Sequence, residues 1–261
     1  MKNTLIACCL SLSLGLWAHA QSYKAPVSSG VTKVEIVISN THLNIEGYDG
    51  NEILITVKGK RVSDRRADGL RALNQNGVDN TGTGIHLEQS NDKIRLLKIS
   101  KKQEGDFSIQ IPQSLDLVIK EEEWQGEEVM ITGMAGAIKV YSNNSDIVLK
   151  QVTGPIHAKT TSGDISATFS QQAKIQASKI SSISGTVDIY LPKDLPADLD
   201  ISSISGEVYS DFDLDYESKK NPYGLEKIGG GKNARATING GGIKLVFSSI
   251  SDDVYVRKAG D

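Results

Sequence analysis

The chain lacks the cysteines with which many exported proteins stabilise a fold. Its 261 residues contain only Cys8 and Cys9, and both lie within the first 20 residues. Because that segment has the features of a removable leader, residues 21–261 would keep no cysteine for a disulfide or a thiolate nucleophile. Stability must then come from packing and hydrogen bonds.

Long apolar runs are also missing, with one exception at the start of the chain. A positive first segment, an apolar stretch from Leu5 to Trp17 and small residues at Ala18 and Ala20 are typical of a secretory signal peptide over residues 1–20. We therefore expect export by the Sec route, to the periplasm, the cell surface or the extracellular space. No other segment approaches the ~20 apolar residues of a membrane helix, so no transmembrane segment is expected.

Aromatic residues and an excess of charge are both scarce. Aromatics make up 5% of the chain and the formal net charge is −3. A low aromatic content suits a core of stacked aliphatic side chains better than a cleft lined with sugar-stacking rings. The weak, mixed charge gives no reason to expect nucleic acid or an anionic membrane as a partner.

The motifs of common catalytic and metal sites do not occur. The chain has no Gly-x-Ser-x-Gly elbow, no His-Glu-x-x-His and no EF-hand loop. Of the three histidines after the leader, His157 follows an inward-facing Ile156 and is expected on the surface. The sequence thus predicts a non-enzymatic protein without catalytic residues or a cofactor.

What the chain does contain is a nine-residue repeat in its middle. An aliphatic residue returns every nine positions, at Val129, Ile138, Ile147, Ile156 and Ile165, and a second inward candidate follows two residues later. Alternation of period two inside a fixed longer period indicates short strands in a winding chain. Alternate anchors should therefore stack on the same sheet at intervals of ~4.8 Å.

These features predict an all-β fold, a right-handed parallel β-solenoid with two sheets. The alternative is an antiparallel β-sandwich, which also has short strands and frequent turns, but it has no need of a constant period. We expect one domain over residues 21–261. Residues 21–120 would supply capping strands and a short helix near residues 61–73, and residues 121–261 the repeat region.

Several motifs, taken in order, resemble one family. They are the Arg-Ala-Asp-Gly-Leu-Arg-Ala-Leu segment ending at Leu73, Gly82-Thr83-Gly84-Ile85, Val152-Thr153-Gly154-Pro155-Ile156, Thr161-Ser162-Gly163-Asp164-Ile165 and the stretch from Thr237 to Lys258. This order is similar to the adhesin-like DUF4097 family of exported proteins from Bacteroidetes and other bacteria. The resemblance implies a β-helical exported protein with no established activity. Asp252 stands where related turns have glycine, which questions that turn type.

Trp124 is the first candidate for ligand binding. It lies among acidic residues, and together with Glu123 and Glu127 it could bind a glycan, with the ring stacking on a sugar and the carboxylates binding hydroxyls. The alternative interpretation buries Trp124 as a cap on one end of the core, as is common for tryptophan.

A second candidate site is acidic. Asp211, Asp213 and Asp215 alternate with apolar residues, which would place carboxylates along one strand face, where oxygen ligands could hold Ca²⁺. The competing interpretation is a solvated strand face, because no glycine-bearing ligand loop accompanies these acids.

The sequence therefore predicts an exported, non-enzymatic binding or structural module of the cell envelope, adhesin-like, whose partner is an envelope protein or a glycan. Two alternatives remain. One is a carbohydrate-active enzyme on a β-helix scaffold, which would need a groove where Trp124, nearby glutamates and an Arg or Lys converge. The other is a periplasmic sensor or assembly factor with one tight protein partner.

Overall fold

The computed structural model describes residues 21–59, 77–99, 105–121, 124, 126–171, 174–213 and 232–260. These ranges form 20 strands joined by turns, and they contain no helix. In particular, they hold no helix of the length and apolarity that a bilayer crossing requires. The leader and the helix expected near residues 61–73 lie outside the described residues.

The strands are short, with three to seven residues each. In chain order they are β1 Gln21–Pro26, β2 Lys33–Ile38, β3 Leu43–Tyr48, β4 Glu52–Lys58, β5 Ile85–Gln89, β6 Lys93–Lys98, β7 Asp106–Pro112, β8 Asp116–Glu121, β9 Glu128–Thr132, β10 Ile138–Ser142, β11 Asp146–Val152, β12 Ile156–Thr160, β13 Ile165–Phe169, β14 Ser178–Ser182, β15 Val187–Leu191, β16 Ala197–Ser203, β17 Val208–Ser210, β18 Lys232–Ile238, β19 Ile243–Ser249 and β20 Val254–Lys258.

Two ten-stranded sheets result. Sheet A has the order β1-β4-β7-β3-β9-β11-β13-β15-β20-β17, and sheet B has the order β18-β16-β19-β14-β12-β10-β8-β2-β6-β5. From β8 to β17 consecutive strands alternate between sheets B and A, so each pair of strands makes one coil. The antiparallel pairs lie near the ends of the sheets, and every pair between them is parallel.

The repeat anchors stack as their spacing predicts. In sheet A, Ile147 is in register with Val129 on one side and Ile165 on the other. In sheet B, Ile138 is in register with Ile156. These parallel ladders confirm the predicted β-solenoid and are incompatible with an antiparallel sandwich.

The core lies between the two sheets and is mostly aliphatic. Alternate residues of nearly every strand point inward, and the anchors Val129, Ile138 and Ile147 are fully buried. Each such side chain contributes roughly 1.5–3 kcal/mol through burial. Because β-branched residues pack well on a pleated surface, the sequence favours strands wherever this inward phase is kept.

Two coils are inserted into the stack out of chain order. The first coil, β2 with β3, lies between β6 with β7 and β8 with β9. The last coil, β19 with β20, lies between β14 with β15 and β16 with β17. Chain order would instead place Val208 directly on Val187, but Val254 separates them, paired with each.

A row of buried hydroxyls lines the corner where sheet-B strands turn into sheet-A strands. We call it the hydroxyl ladder, and it consists of Ser142, Thr160, Ser182, Ser249 and Ser203, in stacking order. Each hydroxyl accepts the N–H of the residue three positions later, at 2.7 to 3.3 Å. The last four also donate to a carbonyl oxygen of the preceding coil, at 2.7 to 3.2 Å. The ladder satisfies turn groups that would otherwise be buried without partners.

Glycines fit this corner because the coils approach closely. A Cβ atom on Gly163 would lie 2.0 Å from the Ser145 carbonyl oxygen, and one on Gly206 would lie 2.4 Å from the backbone of Asp252. Neither glycine has a positive φ. Glycine is therefore required at both positions because a side chain would not fit, and not because of the backbone conformation. Asp252 replaces glycine in the equivalent turn, yet its N–H still donates to Ser249 at 3.2 Å, so the turn is kept.

Candidate functional site

The outer face of sheet B carries a regular set of basic side chains. We call it the cationic face and define it by Lys139, His157, Lys159, Lys179 and Lys244, with Tyr141 among them. Lys139, His157 and Lys179 are in register on the neighbouring strands β10, β12 and β14. Tyr141 and Lys159 form a second row two residues further along the strands. The alternation that buries the aliphatic anchors thus aims these residues at solvent.

No acidic residue interrupts the centre of this face. The four adjacent strands β10, β12, β14 and β19 contain four lysines and one histidine, and no Asp or Glu. Within the described ranges none of these residues forms an ion pair. The four lysines are exposed, so their charges are free to attract an anion.

One border of the cationic face lies at Glu35 on β2. Lys120 contacts this carboxylate at 3.1 Å, Lys93 at 3.5 Å and Arg95 at 3.7 Å. Partial burial would raise the pKa of Glu35, but the hydrogen bond from Lys120 and the charges of the three cations outweigh burial and lower it. Three cations on one carboxylate leave a positive excess here too.

The other border lies on β16, where acids return. Asp198 is in register with Lys244 and accepts the Thr237 hydroxyl at 2.9 Å. Asp200 pairs with Arg235 at 3.8 Å. Within sheet B, the cations without an ion pair among the described residues are therefore in the middle of the sheet.

Two open recesses shape the cationic face. One, of about 320 Å³, is lined by Lys139, His157, Lys179 and Lys244, together with apolar residues next to them in the chain. The other, of about 360 Å³, lies toward the corner and is lined by Lys120, Tyr141, Lys159, Asn143 and Thr161 together with Glu121. The rings of Tyr141 and His157 meet between them, with centroids 5.6 Å apart. The face therefore combines cations with two shallow recesses and one tyrosine side chain.

Glu121 is buried at the foot of the hydroxyl ladder. One of its carboxylate oxygens accepts hydrogen bonds from Ser142 at 2.8 Å and Ser145 at 3.3 Å. The other oxygen is buried and has no hydrogen-bond partner among the described residues. Although Glu121 borders the second recess, it lies below the exposed lysines rather than among them.

Trp124 lies at the corner that follows β8, and its side chain is 71% exposed. The interpretation that Trp124 caps the core is therefore wrong. Its backbone carbonyl accepts a hydrogen bond from the Asn144 side chain at 3.0 Å, which ties its backbone to the next coil. The ring is accessible, as a glycan platform would require. Glu123 lies outside the described residues.

Glu127 contacts a histidine instead of approaching a lysine or arginine. Its carboxylate lies 2.5 Å from the Nε2 atom of His42. The open groove around this pair is also lined by Asn40, Gly126, Glu128, Asn144 and Asp146. Among the residues lining this groove there is no Arg or Lys, so this groove does not assemble the constellation that the enzyme alternative needs.

The acidic candidates are placed beyond a strand. Strand β17 ends at Ser210, so Asp211 and Asp213 do not share a strand face, contrary to the expected arrangement. Asp211 accepts the backbone N–H of Lys258 at 2.8 Å. Asp215 lies outside the described residues, and the part of the chain that is described contains no group of acids and histidines suited to a metal ion.

One part of the outer face of sheet A, around Asp188, differs from the cationic face because its polar groups bind one another. Arg257 donates to Asp188 at 2.8 Å and stacks over Tyr255, with 4.8 Å to the ring centroid. Tyr190 donates to Asp188 at 3.0 Å, and Tyr209 stacks on Tyr255. Burial and the Asp188 hydrogen bond raise the pKa of Tyr190, and the Asp188 hydrogen bond raises the pKa of Arg257.

Sequence reasoning placed His157 on the surface but missed the cationic face. The residue after each sheet-B anchor is basic, as in Ile138-Lys139 and Ile156-His157, and in the same register these residues indicate a positive outer face. The net charge of the chain does not reveal this pattern, since acids elsewhere make the whole chain negative. Knowing which strands are neighbours was needed to bring Lys179 and Lys244 into the same set.

The chain is similar to a known protein family. Residues 117–245 match the model of the family described as Toastrack DUF4097, which confirms the resemblance seen in the motifs. The matched segment runs from β8 into β19 and so includes every residue that defines the cationic face. No curated protein matches the chain.

Several solved structures are similar over most of the chain. A "putative cell adhesion protein" from Clostridium sporogenes is 10% identical, with 92% of this chain and 100% of that one covered and a TM-score of 0.48. "Putative adhesins" from Bacteroides fragilis and Parabacteroides distasonis are 10% and 11% identical, covering 92% and 93% of this chain and 97% and 98% of theirs, with TM-scores of 0.32 and 0.30. At these identities the function of this chain has to be inferred from its own residues.

Proposed function

We propose that this protein is an exported, non-enzymatic binding module of the cell envelope. The premise is that residues 117–245 belong to the DUF4097 family. In this proposal the solenoid is a rigid support, and one flat sheet face makes the contact. The module is adhesin-like in that it holds an envelope partner or glycan without transforming it.

The observation that carries the proposal is the cationic face. Four exposed lysines and a histidine on adjacent strands have no ion-pair partner among the described residues. Charges kept in this arrangement repel one another, and the repulsion is relieved when an anionic partner binds. Conformational stability alone gives no reason to align them.

Export is the second element of the proposal, and it is supported by the leader-like pattern of residues 1–20. An exported chain without cysteine in its mature part depends on the hydrophobic core and on the hydroxyl ladder instead of disulfides. The long ladders of sheets A and B supply such a core.

The experiment that tests binding against catalysis uses the purified mature protein and a panel of neutral and acidic polysaccharides. Retardation in affinity electrophoresis without new reducing ends is the expected result. Steady release of reducing ends, or of unsaturated products absorbing in the ultraviolet, would instead establish the carbohydrate-active enzyme.

The experiment that tests location is protease treatment of intact cells, with lysed cells as the control. Digestion in intact cells would support a surface adhesin-like role. Protection until lysis would place the protein in the periplasm and favour the sensor or assembly factor. Retention of the intact leader on a cytoplasmic protein would contradict export altogether.

A further inference from the structure

We infer that the ligand of the cationic face is a linear anionic polysaccharide, which lies across the strands and along the axis of the solenoid. This inference rests on the proposed binding function and names its ligand class. The recognised chemistry is a series of carboxylate or sulfate groups on a chain of sugars.

The spacing of the cations favours an extended polymer. Lys139, His157 and Lys179 are in register on successive strands, so their Cα atoms follow the stack at intervals of about 4.8 Å. Such a row runs perpendicular to the strands. A small anion would engage only one or two of these groups, whereas a chain with a charge on each sugar would contact all of them.

A second row broadens the contact. Lys120, Tyr141 and Lys159 are in register on β8, β10 and β12, about 7 Å further along the strands. Tyr141 of the second row is 38% exposed, and its ring contacts that of His157 in the first row. A tyrosine offers both a ring edge for the apolar side of a sugar and a hydroxyl for hydrogen bonding. The two recesses lie over these rows and give sugar rings a place to seat.

A membrane surface fits this face less well. Peripheral binding to a bilayer normally adds apolar side chains that insert between the lipids. Tyr141 is the only large, well-exposed apolar side chain of the cationic face, and the exposed isoleucines Ile204 and Ile250 lie in corner turns beyond it.

A nucleic acid also fits less well than a polysaccharide. Single-stranded nucleic acids are bound through rows of aromatic rings and arginines that stack on the bases. The cationic face supplies lysines, which act as point charges, and a single tyrosine.

The test measures binding of the purified mature protein to polygalacturonate, a carboxylate polymer, and to dextran sulfate, a sulfate polymer. Neutral dextran is the reference polymer, and vesicles of phosphatidylglycerol with phosphatidylcholine form a separate arm. We expect binding to at least one anionic polymer, weakening steeply between low and high salt. The arm that binds more tightly identifies the anionic group.

Two matched triple variants give the test its specificity. Replacement of Lys139, Lys159 and Lys179 by Gln should weaken polymer binding by about 30- to 100-fold at low salt. The control replaces Lys24, Lys58 and Lys150, three exposed lysines of sheet A, by Gln. It removes the same charge and should change binding by less than about twofold. Circular dichroism spectra and melting temperatures verify that both variants are folded.

Each other outcome overturns the inference. Equal losses in the two variants would mean that net charge, not the cationic face, attracts the polymer. Tighter binding to vesicles than to either polymer would make the face a membrane-binding surface. Binding to neutral glycans alone would overturn the inference but leave the proposed function standing, whereas turnover of a polymer would overturn the proposed function itself.

Discussion

The hydroxyl ladder and the cationic face lie on the same strands but treat their polar groups in opposite ways. Ser182, at the end of β14, accepts a hydrogen bond within its own turn and donates one to the neighbouring coil. Lys179, three residues earlier, has its side chain in solvent on the other side of the sheet. Both belong to rows that repeat from coil to coil.

The difference shows how one repeat can serve two purposes. In the ladder every hydroxyl donates to an acceptor of the preceding coil, so the row joins the coils and leaves no donor for another partner. On the cationic face like charges follow one another, so the row contributes little to folding and remains available to a ligand. Substitutions in the ladder should therefore change stability, and substitutions on the face should change binding.

The largest effect is expected from Gly163→Val in the corner. Its Cβ would lie 2.0 Å from the Ser145 carbonyl oxygen, which is backbone and has little freedom to move. We expect the free energy of unfolding in urea to fall by about 3 kcal/mol. An unchanged unfolding midpoint would mean that the coils separate easily at this corner, against the close approach seen here.

Ser182→Ala should have the next largest effect. The substitution leaves the Gly185 N–H and the Gly163 carbonyl without their partner in a buried turn. We expect a loss of about 1–3 kcal/mol in chemical denaturation and no loss of polymer binding. Ser181→Ala, the neighbour that faces outward, is the control and should change stability by less than about 0.5 kcal/mol. Equal losses in both would contradict the special role of the ladder.

Glu35→Gln at the border of the face should change both properties in opposite directions. Removing the one carboxylate that Lys93, Arg95 and Lys120 share frees three cations, so polymer affinity should rise several-fold in a titration at low salt. Stability at neutral pH should fall modestly, by about 1 kcal/mol. A drop in affinity would show that Glu35 orders the cations for binding.

The same substitution has a defined pH dependence. The pKa of folded Glu35 lies below the unfolded value of 4.5, so its stabilising contribution is present above pH 4.5 and is lost as the pH falls through the folded pKa. The unfolding free energies of the wild type and the Gln variant should therefore differ at neutral pH and converge in acid. A difference that stayed constant down to strongly acidic pH would show that the ionised Glu35 carboxylate is not the source of the stabilisation.

Lys179→Ala should have the smallest effect on stability and thereby sharpen the contrast. Its side chain is exposed and forms no ion pair among the described residues, so the free energy of unfolding should change by less than about 0.5 kcal/mol. Polymer affinity should fall several-fold in the same titration. A clear loss of stability would place Lys179 with the structural residues instead.

The repeat made the central coils predictable. Val129, Ile147 and Ile165 stack because strand alternation and the nine-residue period act locally and agree with each other. The requirement for glycine at Gly163 and Gly206 is different, because it comes from the close approach of the coils and not from a positive φ. Such an approach is a property of the packed coils and cannot be read from local sequence.

The end coils and the site were harder to predict for a physical reason. The pairing of Val254 with both Val187 and Val208 joins segments tens of residues apart, and no local period specifies which coil a distant strand will enter. Trp124 was equally ambiguous, because its burial depends on how the corner packs and not on its neighbours in sequence. The cationic face required the strand order, and the right-handed winding stays a prediction.

The insertion of β20 between β15 and β17 also determines how the molecule would respond to mechanical load. A pull on the C-terminal end acts on β20, which is hydrogen-bonded to β15 on one side and to β17 on the other. Peeling this strand away breaks two ladders at once, whereas a strand at the rim of the stack would break only one. A force applied through β20 would therefore act on the interior of the stack. The tension would be shared between neighbouring coils before the first of them detached.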